Sequence, residues 1–346
     1  MAVDAVLALL IIGLAAYAVL GGADFGAGFW DLSAGGAHRG AGLRDAIARG
    51  MGPVWEANHV WLIFVLVLLW TGFPLAFGSL MSTLTVPLFL AALGIVLRGS
   101  AFAFRGEAGT IAQQRLFGGM FAIASVMVPF FLGAAVGGVA SGRVPVGNAA
   151  GDLVTSWANP TSVMIGLIAI ATGAHLAAVY LCADARGRGD DALAGAFRAR
   201  GLASGVAAGG LAIAGLVVVR SDYRPLYDGL MGDGLPLVIV SAVAGVATLG
   251  LLWTGRAWIA RLTGGLAVAA VVGAWALAQD PYMLPPTLTV DDAAAAHATL
   301  VSVLVGGVVG LCVLIPSLYL LFRLTLRGRL DPEYHPLAVA EPEQGR

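Results

Sequence analysis

Runs of roughly 20 apolar residues recur about nine times along this chain, and that repetition constrains the fold more than any motif. Each run is long enough to cross about 30 Å of hydrocarbon. Lipid offers the backbone no hydrogen-bond partner, so the runs are expected to be helices, near 4–29, 53–77, 79–104, 116–140, 161–183, 202–219, 235–254, 258–278 and 298–322. A β-barrel would show short alternating segments instead. The expected fold class is all-α: a polytopic membrane protein of about nine transmembrane helices, set as two four-helix bundles plus one peripheral helix. Residues 1–330 form one transmembrane domain, and 331–346 form a polar, proline-containing cytoplasmic tail.

Composition agrees. The 346 residues are 59% hydrophobic and only 11% charged, where a soluble domain carries about 25% charge. Mean hydropathy is +0.89. Formal net charge is −1, which argues against nucleic acid as a partner. Cys182 and Cys312 lie in or at the ends of apolar runs and suggest neither a disulfide framework nor a cysteine metal site. The first residues lack the basic region of a signal peptide and are taken as the first permanent span.

Arginine sets the expected orientation, because lysine is absent. With the N-terminus outside, only Arg143, Arg220 and Arg224 fall on the outer side, and the other arginines fall inside. An odd number of spans then leaves the C-terminus cytoplasmic. The expected location is the bacterial cytoplasmic membrane.

A charge near the bilayer centre costs about 2.5–3.5 kcal/mol, so intramembrane ionisable residues are candidates for function. Three stand out: Asp24 in GGADFGAGFW, Glu56 in GPVWEANHVW, and Arg98 in GIVLRGSAFAFR. All three fall within about two helical turns of the inner boundary. They suit a proton-entry cluster, and equally a structural ion pair or residues that snorkel to the interface. Glu56 and His59 share a helix face at i,i+3. Trp55, Asn58 and Trp61 follow one another on an adjacent face. A carboxylate beside an imidazole can relay protons near neutral pH, whereas an interfacial aromatic belt explains the tryptophans as well. The close glycines from Gly21 to Gly28 fit tight helix packing.

His175 lies alone inside the fifth span and reads as a satisfied buried histidine rather than a haem ligand. His297 starts the last span, and His38 and His335 lie in an inner loop and the tail. No metal-binding histidine pair occurs, and without lysine no Walker A motif exists.

The stretch from Asp24 to Arg105 resembles subunit II of cytochrome bd quinol oxidases. It has the family's G-x-D-x-G turn as GGADFGAG, its G-P-x-W-[DE]-x-N-x-V-W block as GPVWEANHVW from Gly52 to Trp61, and a third block as VLRGSAFAFR with Arg98 and Arg105. The resemblance implies a complex that oxidises quinol and reduces oxygen to water. Its haem b and haem d groups belong to a partner, subunit I, which also carries the quinol-binding loop. It implies proton-relay roles for Glu56, Asp24 and His59, with Arg98, Arg105, Trp55, Asn58 and Trp61 as charge or structural partners. Two departures stand out: many members carry another acid where this chain has Leu20, and the connection between spans three and four is short. Two rivals use the same residues: a proton-coupled secondary transporter, and a scaffold with no proton role.

Overall fold

The computed structural model describes residues 1–35, 40–51, 55–106 and 109–326; at Trp55, Glu56, Arg105 and some other helix-end positions it describes the backbone alone. The described elements are α1 (Ala2–Leu32), α2 (Ala41–Met51), α3 (Trp55–Gly72), α4 (Pro74–Thr83), α5 (Thr85–Gly106), α6 (Ile111–Ala140), α7 (Pro160–Gly187), α8 (Asp191–Asp222), α9 (Arg224–Met231), α10 (Leu235–Trp253) and α11 (Ala257–Gln279). The strands β1 (Tyr282–Leu284) and β2 (Leu288–Thr289) follow, then α12 (Val290–Ala293) and α13 (His297–Leu326). The expected tail, 331–346, with His335, and the loop residue His38 lie outside the described residues.

Eight described helices are each long and apolar enough to span a bilayer, and α3 with α4 forms a bent apolar pair that counts as a ninth if it is one broken span and not a re-entrant loop. The second expected span, 53–77, is therefore not straight. It turns by 119° where α3 gives way to α4. Pro74 accounts for the corner: lacking an N–H and with φ fixed, it opens a new helix rather than continuing the old one. Phe73 is fully buried at the bend and pins it. The third span accordingly begins at Thr85 instead of residue 79. The sixth starts well before residue 202, because the Asp190 side chain accepts from the Leu193 N–H and caps α8 there.

Some helices end on glycine. Gly255, at φ +78°, follows the last turn of α10, and the Arg256 N–H returns to the Leu251 carbonyl at 2.7 Å. This left-handed closure suits a residue without Cβ. The segment 280–289 contains the β1–β2 hairpin. Leu284 and Leu288 are buried with Val6, Phe73 and Leu300.

Helix α1 packs on α3 and α6, and α6 packs on α5. Helices α7, α8, α10 and α11 close a ring in which each touches the next. Helix α1 joins the two groups through α7 and α11, and α13 leans on α1 and α3. The α1–α7 crossing is close: a Cβ on Gly26 would lie 1.9 Å from the Gly173 carbonyl oxygen. Small residues permit that approach in a membrane, where dispersion rather than water exclusion drives helix association.

Contacts gather the helix ends on two faces. On one, arginines of α7, α8 and α11 meet the α10–α11 turn and the end of α7: Arg186 donates to the Gly255 carbonyl, Arg198 to the Trp253 carbonyl, and Arg261 to Asp184. Arg44 of α2 pairs with Asp31, near the end of α1, at 3.1 Å. On the other face Arg143, after α6, forms a two-pronged pair with Asp222 at the end of α8, at 2.8 and 3.0 Å.

Candidate functional site

Helices α1, α3, α5 and α6 bring one polar group each into an apolar interior. Asp24, Asn58 and Arg98 are 5%, 3% and 2% exposed, and Ser125 is buried with them. Asp24 and Arg98 each lie eight residues before the end of their helix, about 12 Å at 1.5 Å per residue. Asn58 sits in the first turn of α3. The two residues thus stand equally far from the C-terminal ends of their helices, and the long Arg98 side chain reaches from α5 to the Asp24 carbonyl.

The pairing differs from a simple acid–base bridge. The Arg98 Nη2 donates to the main-chain carbonyl of Asp24 at 2.9 Å, and its Nε donates to the Ser125 hydroxyl at 3.1 Å. Ser125 in turn donates to the Phe121 carbonyl at 2.7 Å. The Asp24 carboxylate instead accepts from the Asn58 amide. The guanidinium is also held between the Phe25 and Phe121 rings, 4.9 and 5.0 Å from their centroids. A delocalised, weakly hydrated cation suits that sandwich.

Space for this arrangement comes from the GGADFGAG glycines. A Cβ on Gly28 would sit 2.0 Å from the Ser125 oxygen, so any larger residue would displace the hydroxyl that Arg98 uses. Close packing, the plain reading of these glycines, is what Gly26 and Gly28 provide.

Around His59 the rings are edge-on: Tyr17 at 6.1 Å and Phe25 at 5.8 Å between centroids. Trp61 is buried against Phe64 at 6.2 Å. The Tyr17 hydroxyl, the Asn58 carbonyl oxygen and the Trp61 indole nitrogen are buried with no hydrogen-bond partner among the described residues. Buried polar atoms in native proteins rarely stay unsatisfied, and such atoms are where ordered water binds.

The side chains of Glu56, Trp55 and Arg105 lie outside the described residues, as do Gly52 and Pro53. The backbone puts Glu56 in the first turn of α3, two residues before Asn58. Sequence reasoning missed Ser125, Phe25, Phe121 and Tyr17. Ser125 left one trace, a lone hydroxyl within an apolar run, but nothing local tied it to Arg98.

His175 is held by the protein itself. The His175 Nδ1 faces the Gly201 carbonyl at 2.9 Å, and a Cβ on Gly205 would lie 2.7 Å from its Cε1, so α8 walls in the ring. His59 is wedged between aromatic rings. Among the described residues no three His, Cys, Asp or Glu side chains gather as a metal site.

Comparison with known proteins covers almost the whole chain. The family model described as cytochrome bd terminal oxidase subunit II matches residues 3–325. A Bacillus subtilis protein named as a cytochrome bd menaquinol oxidase subunit II is 25% identical over 340 residues, 94% of this chain and 96% of that one. A second from the same organism, a cytochrome bd ubiquinol oxidase subunit 2, is 29% identical over 90 residues, 26% of this chain and 27% of the other. The solved bd oxidase from Geobacillus thermodenitrificans aligns with TM-score 0.78 and 27% identity, over 94% of this chain and 99% of that one.

Proposed function

Since the chain belongs to the cytochrome bd terminal oxidase subunit II family, and so is a component of a terminal oxidase complex, we propose that it carries protons from the cytoplasm into the oxidase. Glu56 takes them up at the start of α3, and Asp24 and His59 stand next along the way. The chain works beside subunit I, which holds the haem b and haem d groups and supplies the sites for quinol and oxygen. The N-terminus lies outside and the arginine-rich face is cytoplasmic.

The observation that carries this reading is the buried polar cluster itself. A carboxylate, an amide, a hydroxyl and an indole N–H on α1 and α3 lie within an apolar interior, and three of their polar atoms have no partner among the described residues. Moving a charge through the membrane field costs about 2.3 kcal/mol per 100 mV, so protons need such a polar, hydrated path. Arg98 sets the electrostatics: its fixed positive charge offsets Asp24, and its bonds to Ser125 and the Asp24 carbonyl hold α1, α5 and α6 in place. The walled-in His175 supports placing the haems on the partner.

A purely structural role has its own support, because Arg98 satisfies itself against a carbonyl, a hydroxyl and two rings. The two readings separate on one experiment. Glu56→Gln is introduced into the two-subunit oxidase, and oxygen uptake with quinol is measured per assembled complex, counted by its haem absorbance. The proton role gives a fall of about a hundredfold, the usual scale for a lost general acid–base. Unchanged turnover per complex removes Glu56 from the path; reduced assembly with unchanged turnover favours the scaffold.

A further inference from the structure

We propose that the junction of α7, α8 and the α10–α11 turn is a binding site for the anionic headgroup of a phospholipid. A cavity of 340 Å³ opens there, lined by Cys182, Arg186, Asp191, Ala194, Arg198 and Gly255 among others. Arg186 and Arg198 reach it from α7 and α8, and Arg256 flanks it in the turn.

Charge is the first argument. Among the described residues none of these three arginines has a carboxylate within ion-pair distance, although other arginines on this face do: Arg261 with Asp184, Arg44 with Asp31, Arg49 with Asp45. Arg186 and Arg198 each give one N–H to a main-chain carbonyl, of Gly255 and Trp253. A guanidinium has five N–H donors, so most remain for a ligand in a fork geometry that matches phosphate. Those carbonyl bonds fix the guanidiniums beside the cavity. Asp191 in the lining offsets one charge, and the site stays net positive.

Position is the second argument. Trp253 and Trp258, 69% and 65% exposed on either side of the turn, mark the depth of the lipid headgroups. The Arg198 guanidinium lies 5.8 Å from the Trp253 ring centroid. Further along α8 and α10, a Cβ on Gly209, Gly210, Gly245 or Gly250 would touch nothing within 4 Å, so these positions face open space. An acyl chain can lie along such a shelf. Basic pockets between transmembrane helices take anionic headgroups for these reasons. The inference is independent of the proton route.

The test uses the purified two-subunit complex, exchanged into mild detergent. Native mass spectrometry and thermal melting are followed while phosphatidylglycerol, phosphatidylcholine or inorganic phosphate is added. Wild type is expected to retain phosphatidylglycerol and to melt higher with it. The double variant Arg186→Gln, Arg198→Gln is expected to bind it about 30-fold more weakly, at about 1 kcal/mol per basic residue. Arg186→Lys with Arg198→Lys keeps the charge and should restore part of the affinity, while Arg220→Gln with Arg224→Gln on the opposite face should change nothing. Equal retention by the Gln variant, equal binding of phosphatidylcholine, or full stabilisation by phosphate alone would each overturn the proposal.

Discussion

The Arg98 guanidinium donates to the main-chain oxygen of Asp24 at 2.9 Å, while the carboxylate of the same residue is taken by Asn58. One aspartate thus joins two helices to its own through different atoms. Its carboxylate has one assigned donor, and the arginine beside it is held independently of the carboxylate.

Arg98→Leu should therefore damage more than an ion pair. It strips a donor from the Asp24 carbonyl and from Ser125, and leaves Asp24 buried without its nearby cation. Breaking a buried charged network in this way costs about 3–5 kcal/mol. The expected result is little assembled oxidase, read as lost haem absorbance in membranes. Arg98→Lys should recover only part, because an ammonium cannot reproduce the two-directional fork.

Asn58→Ala removes the amide that the Asp24 carboxylate accepts from. An unpaired buried acceptor costs about 1–3 kcal/mol, more when charged. The melting temperature of the purified complex should fall, whereas Val60→Ala, two residues on, on the opposite side of the same helix and partly exposed, should cost less.

Gly26→Ala and Gly22→Ala make a matched pair on one helix. A Cβ at residue 26 runs into the Gly173 backbone, which cannot move without shifting α7; a Cβ at residue 22 meets nothing within 4 Å. The first variant should abolish or strongly reduce assembly. The second should assemble normally, and helix propensity favours it by about 0.5–1 kcal/mol. Equal behaviour of the two in a blue-native gel would contradict the close α1–α7 crossing.

Arg143 and Asp222 tie the loop after α6 to the end of α8, and Asp222 also accepts from the Thr161 hydroxyl at 2.6 Å. The pair is two-pronged and only partly exposed, 30% and 13%. A double-mutant cycle of Arg143→Ala and Asp222→Ala should give a coupling of about 1 kcal/mol in thermal unfolding, above the value for a freely exposed pair. Arg224 with Asp228, both well exposed at 66% and 59%, should give close to none.

The sequence by itself determined that the chain is a set of about nine apolar helical segments, because hydrocarbon forces the backbone to bond within each segment; the break in the second and the starts of the third and sixth came from the structure. It also singled out Asp24, Glu56 and Arg98, because ionisable groups are too costly in lipid to lie there idly, and it named Asn58 beside them. What only the tertiary structure decided was how these groups meet: that Arg98 finds a carbonyl and Ser125, and that Arg186 and Arg198 converge on one turn. Those outcomes depend on the rotation and separation of helices far apart in the chain. Such quantities are set by packing at contacts like Gly26 on Gly173, and no local pattern encodes them.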